Sequence, residues 1–256
     1  MEKNKVLVTG SQSGLGKFIY EKTNNAIEFN RDNTIDDVKD LDLDIIIHCA
    51  NNKAIQIDST QLLEYMKDNL LLTYELSKIP CNKFIYISTV DVYPKNGMLH
   101  REDEIIDIKK VSNVYGLTKL MSEQLVKENR DNYLILRPTA LLGSYMKPNS
   151  LTKILTGNYV NFTLAKQSSF NYVLYDDIYN FISFACKENL GGIFNLASNS
   201  NVSLLQVAQV LGKEDVPFGD YEYHIGHIDN SLVNEFYPSF NKETLDIIKL
   251  FKESYK

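Results

Sequence analysis

Residues able to do chemistry fall in three places along this chain. The run Thr9-Gly10-Ser11-Gln12-Ser13-Gly14-Leu15-Gly16 lies between an apolar strand at 6–8 and apolar residues at helical spacing, Leu15, Phe18 and Ile19. Glycines between a strand and a helix let the backbone approach a pyrophosphate, whose charge the helix N-terminus favours. A glycine turn with no ligand has the same composition. Ser88 and Thr89 end an apolar run at 84–87, and open parallel sheets bind ligands at the carboxyl ends of their strands. A hydroxyl there either bonds a substrate carbonyl or caps the strand. Tyr115 and Lys119 stand four residues apart, on one face of a predicted helix. A nearby ammonium lowers a tyrosine pKa and makes the phenol a usable proton donor or acceptor; the same spacing also occurs as an exposed helical pair. Asn69 falls on a stripe with Leu62, Met66, Leu70 and Leu76. A buried amide there must find partners, as a structural bridge or within a water relay.

These groups need a scaffold, and the periodicity supplies one. Apolar strands are expected at 6–8, 26–29, 45–49, 84–89 and 133–136. Between them fall a short helix capped by Asn33 or Thr34 and reaching 38, a long helix from Ser59 or Thr60 to about 78, and another over 114–128. Such alternation predicts an α/β fold, a Rossmann-like doubly wound parallel sheet with helices on both faces. Beyond Pro138 the rhythm loosens, with helices expected at 151–155, 177–186, 204–211 and 242–252 and strands at 160–164 and 193–196. The chain is expected to divide into a first part at 1–145 and a smaller C-terminal lobe at 146–256, interleaved with the first.

With 256 residues, 44% hydrophobic and 23% charged, the chain can bury one sizeable core. A net charge of −6 argues against nucleic acid or an anionic membrane as partner, while a local Arg or Lys could still hold an anionic substrate. Cys49, Cys81 and Cys186 show neither zinc spacing nor redox pairing, so reduced thiols and no metal are expected. No apolar run is long enough to span a bilayer. The first five residues lead straight into a strand with no signal-peptide pattern, which predicts a soluble cytoplasmic protein.

The order of these signals resembles the short-chain dehydrogenase/reductase superfamily, and most of all its extended epimerase/dehydratase branch. IIIHCA (45–50), ISTVDVYP (87–94), NVYGLTKLMSEQLV (113–126), LRPTALLG (136–143), FNYVLYDDI (170–178) and GGIFNLAS (191–198) follow that branch's order over nearly the whole chain. The resemblance implies a dinucleotide-binding domain at 1–145 and a substrate-binding lobe at 146–256. It implies that Tyr115 is the acid/base, that Thr89 polarises the substrate, and that Lys119 holds the nicotinamide ribose. It implies a pyrophosphate turn of Gly10, Ser13, Gly14, Leu15 and Gly16, with Ala50 and the backbone after Pro138 bordering the cofactor. NAD-preferring relatives carry an acid at the end of the second strand, where this chain has Asn30. Arg31 follows and could pair with a 2′-phosphate, so NADP(H) is expected over NAD(H). Glu28 and Asp32 are the acids close enough to alter that choice.

Several departures narrow the reading. Ser13 occupies the branch's usual middle-glycine position, leaving the Gly10/Gly14/Gly16 spacing of shorter relatives. Val90 and Asp91 replace the Asp-Glu pair of dehydratases, which disfavours a 4,6-dehydratase. The segment 30–44 is too short for the branch's usual strand, an abbreviation that resembles late-acting deoxysugar reductases. Phe170 replaces an Arg that binds diphosphate, with Lys147, Lys153 or Lys166 as candidate substitutes. The expected activity is therefore NAD(P)H-dependent reduction of a keto group on a nucleotide-activated (deoxy)sugar. Epimerisation by the same residues and non-catalytic dinucleotide binding are its rivals. Leu117, Leu120, Met121, Leu125 and Val126 spread apolar surface around the 114–128 helix. That helix and the 59–78 helix are expected to form a homodimer.

Overall fold

Six strands rich in Val, Ile, Leu and aromatic residues form one parallel sheet: β1 (Val6–Thr9), β2 (Ile27–Phe29), β3 (Leu43–His48), β4 (Cys81–Ile87), β5 (Tyr133–Pro138) and β6 (Gly192–Leu196). This computed structural model describes residues 4–52, 54 and 57–255; residues 1–3, part of the stretch read for a signal pattern, lie outside them. The strand order is β6-β5-β4-β3-β1-β2, and every pairing is parallel. The winding reverses between β1 and β3, which opens a crevice at their carboxyl ends.

Alternate side chains leave opposite faces of the sheet. Val6, Val8, Ile45, Ile47, Ile85 and Leu134 pack under α1 (Gly14–Lys22) and α6 (Tyr175–Lys187). Leu7, Ile46, Phe84, Tyr86 and Ile135 form the other core, which α3 (Leu72–Lys78) and α4 (Val114–Asn129) join through Leu76 and Val126. Burial on both faces explains why these strands read as continuous apolar runs. The expected doubly wound architecture is the one observed.

Between β2 and β3 lies a single 3-10 turn, Ile35–Asp37, in place of a helix reaching 38. Its cap, Thr34, donates from N–H and hydroxyl to the Asp37 carboxylate. The helix expected from Ser59 or Thr60 begins instead at Leu62. It runs as α2 (Leu62–Met66), a π turn (Lys67–Leu71) and α3. The wider π turn rotates the buried side to Tyr65, Asn69, Thr73, Leu76 and Ser77, leaving Leu62, Leu63 and Leu71 exposed. A stripe drawn at ordinary helical period is therefore out of phase here.

After β5 the chain builds a second core in which Leu151, Ile154, Val207, Leu211, Ile248 and Phe251 meet. They come from α5 (Ser150–Thr156), α7 (Leu204–Leu211) and α9 (Thr244–Ser254). Ala140–Leu142 runs parallel to Tyr172–Leu174, and Ser169–Phe170 antiparallel to Val202–Ser203. The strand expected at 160–164 does not form. Asn161 has φ +54° and Phe162 N–H closes a turn on the Tyr159 carbonyl, so only a bridge from Leu164 to Tyr221 is left. Meanwhile α6 and β6 return to the main sheet, and α8 (Ser231–Phe236) adds Val233 to its core. Among the described residues no helix is long and apolar enough to cross a membrane.

Candidate functional site

The glycine turn is shaped by close backbone approach. A Cβ on Gly10 would lie 2.9 Å from the Ala50 nitrogen, and one on Gly16 only 2.3 Å from the Gly10 carbonyl oxygen. Gly10 also has φ +69°, a conformation that favours glycine. Beside the turn opens a cleft of about 1150 Å³, large enough for a dinucleotide. Gly10, Gln12, Ser13, Ala50, Asn51 and Lys147 line it from the turn and nearby loops, and Phe29, Asn30, Arg31 and Ile35 from the β2 side. Gly14, Leu15 and Gly16 shape the turn from behind. Gly14 N–H donates to the Tyr145 carbonyl at 2.9 Å, and the Leu15 side chain enters the core. Pro138 is buried at the end of β5. Glu28 accepts the Ser11 hydroxyl at 2.8 Å, while Asn30 Oδ1 accepts Asp32 N–H and Arg31 reaches Asp68 at 3.9 Å.

A buried hydrogen-bond chain ties this cleft to α4. Thr9 Oγ1 accepts the N–H groups of Cys49 and Ala50, so its own proton goes to His48 Nδ1 at 2.7 Å. His48 Nε2–H then donates to Thr73 Oγ1 at 2.9 Å, and the Thr73 hydroxyl to the Asn69 carbonyl at 2.8 Å. Ser122 on α4 donates to the same carbonyl. Burial, with the Lys119 charge second, lowers the His48 pKa to about 3, so this imidazole is a neutral bridge. The Asn69 amide brackets Asn52, accepting its N–H at 2.7 Å and donating to its carbonyl at 3.0 Å. Asn69 is thus structural, and it steadies the neighbouring Asn51. The Asn51 amide donates to the Tyr115 phenol oxygen at 3.3 Å. Sequence reasoning passed over Asn51, whose one signal was an amide just past the end of β3.

Tyr115 sits in the first turn of α4, which Asn113 caps by accepting Gly116 N–H at 2.7 Å. A Cβ on Gly116 would lie 2.1 Å from the Asp91 carbonyl oxygen. Glycine there lets α4 press directly on the turn that begins at Thr89. Thr89 Oγ1 accepts Asp91 N–H at 3.2 Å and so keeps its own proton to give. Lys119 is buried, donates to the Ile87 carbonyl at 2.6 Å, and lies 6.0 Å from the centre of the Tyr115 ring. Burial first, then Asp91 and Tyr65, push the Tyr115 pKa up, against the Asn51 hydrogen bond. The lowering expected from Lys119 does not prevail over this burial. Ser88 belongs to the scaffold. Its hydroxyl donates to Glu123, which forms a buried bidentate pair with Arg137 at 3.0 and 2.6 Å, and Arg137 also holds the Tyr93 hydroxyl.

Tyr115 also lines a second cavity of about 1070 Å³, together with Asp91, Lys95, Asn113, Tyr223 and His224. His227–Ile228 pairs with Leu99–His100, and Ser169 bridges to His224, which brings residues 221–224, 226 and 227 into its wall. The candidate lysines for the missing cation lie elsewhere. Lys147 lines the first cleft, Lys153 donates to the Val160 carbonyl, and Lys166 is exposed away from either wall. The second cavity receives Lys95 instead. Among the described residues no group of three or more His, Cys, Asp or Glu could hold a metal ion.

The model of the NAD dependent epimerase/dehydratase family matches residues 6–197. The chain belongs to this family. A dTDP-D-glucose 4,6-dehydratase of Bos taurus is 25% identical over 215 residues, covering 77% of this chain and 60% of that protein. The chain therefore spans less than two thirds of this curated relative's length. A dTDP-4-dehydrorhamnose reductase from Bacillus anthracis, solved in complex with NADP, superimposes with a TM-score of 0.82 at 19% identity over 99% of each chain. A UDP-glucuronic acid 4-epimerase from Bacillus cereus, solved with UDP-glucuronic acid and NAD, gives 0.78 at 19% identity over 98% of this chain and 100% of that one. These likenesses establish the Rossmann-like fold. Within the epimerase/dehydratase family this member offers no acid directly after Thr89: Val90 is buried, and Asp91 is paired with Lys95.

Proposed function

We propose that this chain is an NAD(P)H-dependent reductase that converts a keto group on a nucleotide-activated sugar into a hydroxyl. One observation carries the proposal. Asn51 lines the dinucleotide cleft, Tyr115 lines the second cavity, and the hydrogen bond between them joins the two spaces at a phenol. The named relatives, which act on or bind dTDP- and UDP-linked sugars, support the substrate class. The glycine cradle fits a dinucleotide, with Gly10, Ser13, Ala50, Asn30 and Arg31 on the wall that would hold it. Bound there, the nicotinamide supplies the hydride.

In this reading Thr89 donates to the carbonyl oxygen and polarises it. Tyr115 passes its phenolic proton to that oxygen as the carbonyl carbon takes the hydride, so the product gains one hydride and one proton. Burial keeps the Tyr115 phenol protonated. That suits a donor in reduction. Lys119 stabilises the phenolate left behind and holds the nicotinamide ribose. Residues 1–145 carry the cofactor turn in this reading, while the substrate cavity draws on both parts of the chain, Asp91, Lys95 and Tyr115 from 1–145 and Tyr223 and His224 from 146–256. Asn30 and Arg31, with no acid at the end of β2, favour NADPH. Leu62, Leu63, Leu71, Tyr74 and Met121 leave exposed apolar surface on α2–α4 and the π turn, which a second copy of the chain covers in a homodimer. A solution mass equal to one chain at every concentration would overturn that assembly.

The function is tested with purified chain, NADPH and a panel of nucleotide 4-keto-sugars, following the absorbance of reduced cofactor. Stoichiometric consumption with a hydroxyl product is expected. Sugar interconversion without net consumption would make the chain an epimerase, and binding without turnover would remove the enzyme reading.

A further inference from the structure

We infer that Lys95 anchors the diphosphate of the nucleotide-activated substrate, and that Asp91 holds its ammonium in place until the substrate displaces the carboxylate. The inference rests on the reductase reading for the identity of the cavity. Its own support is the local geometry.

Lys95 is the one Lys or Arg among the described residues that line the second cavity. It is no free surface lysine. Its side chain is 24% exposed, its Nζ lies 3.1 Å from Asp91 Oδ1, and the same Nζ sits 3.9 Å over the Tyr223 ring. Phe170 stacks on Tyr223 with ring centres 5.0 Å apart, which braces the aromatic platform under the ammonium. The position read in the sequence as a lost cation thus supports a cation from another segment.

Charge decides the exchange. An ammonium facing one carboxylate gains when that partner is replaced by a diphosphate at similar distance, because two negative charges replace one. The cation–aromatic contact persists through the exchange. The other acid on this wall, Glu222, is already engaged by Gln167 and His224. Asp91 preorganises Lys95 by removing the freedom of a long side chain, yet it also competes with the ligand. The two members of the pair should therefore act on binding with opposite signs.

Calorimetry of the full chain with UDP and dTDP separates the possibilities without requiring turnover. Lys95→Ala should weaken nucleoside diphosphate binding tenfold or more, raise KM for the sugar substrate more than it lowers kcat, and leave dinucleotide affinity unmoved. Lys95→Arg should retain most of the binding. Asp91→Asn should tighten it about threefold, whereas an ion pair that only supports the fold would lose binding on either substitution. Wild-type affinity in Lys95→Ala would overturn the anchoring role, and weaker binding in Asp91→Asn would overturn the displacement. A wild-type chain that binds neither nucleotide would overturn the nucleotide-sugar reading, and the inference with it.

Discussion

The dinucleotide cleft and the second cavity share a border at the Asn51–Tyr115 hydrogen bond, but they are built from different materials. The cleft is shaped by backbone: Gly10 packs on Ala50, Gly16 packs on Gly10, and the walls come from strand ends that the sheet fixes. The cavity is shaped by side chains from dispersed segments, with Asp91 and Lys95 on one, Tyr115 on a helix, and Tyr223 and His224 on a loop of the second half. Backbone demands leave a local signature, because only glycine satisfies them. Side-chain convergence leaves none until the chain is folded. Under the proposed function, the backbone-built cleft takes the cofactor and the side-chain-built cavity the substrate.

The largest expected effect falls on the border. Tyr115→Phe removes one hydroxyl that donates to no scaffold group, so folding and both ligand affinities should stay within about twofold while turnover falls by roughly 10²–10⁴. Steady-state kinetics with circular dichroism checks this. Near-normal turnover would break the view that both spaces serve one phenol.

Gly16→Ala should separate the two materials. Its Cβ would lie 2.3 Å from a backbone oxygen that no rotamer can move, so the turn itself must shift. Dinucleotide affinity should fall roughly tenfold or more, about 1.4 kcal/mol or beyond, with UDP affinity nearly unchanged. Equal losses of both ligands, measured by calorimetry, would show that the cleft and the cavity are not built independently.

The same division explains what was legible in the sequence. The six-strand sheet, the glycine turn and the placement of Thr89, Tyr115 and Lys119 follow from apolar periodicity and glycine spacing. The missing strand between β2 and β3 was legible only through the family resemblance, since residues 30–44 are too few for the branch's usual strand there. The π turn was not legible, since one extra residue in a turn changes which side is buried without changing composition. That shift is why Leu62 and Leu71 lie outside, whereas Asn69, expected as a buried amide in need of partners, does hold Asn52. Asn161 at positive φ ended a plausible strand for a similar reason, as a single residue's conformation outweighed an apolar alternation. Lys95 was missed because its relation to Phe170 runs through Tyr223, 53 residues further along the chain.

The smallest effect concerns cofactor choice, and it bears on how far side chains refine a cleft made by backbone. Arg31 is 86% exposed, and its contact with Asp68 at 3.9 Å is a surface ion pair worth roughly 0–1 kcal/mol. Arg31→Ala should therefore leave stability nearly unchanged. Asp68 does not depend on Arg31, since it also accepts the Asn52 amide at 3.0 Å. Asn30 spends its carbonyl oxygen on Asp32 N–H and keeps its amide protons for a ligand, while Glu28 is turned to Ser11. Under the proposed function, the end of β2 presents these donors to the cofactor ribose. A 2′-phosphate gains from Arg31 only what solvent screening leaves, so Arg31→Ala should weaken NADPH about three- to tenfold and leave NADH unmoved. Initial rates with both cofactors decide it. A wild-type preference for NADH would mean that Glu28, despite its bond to Ser11, is the acid that meets the ribose.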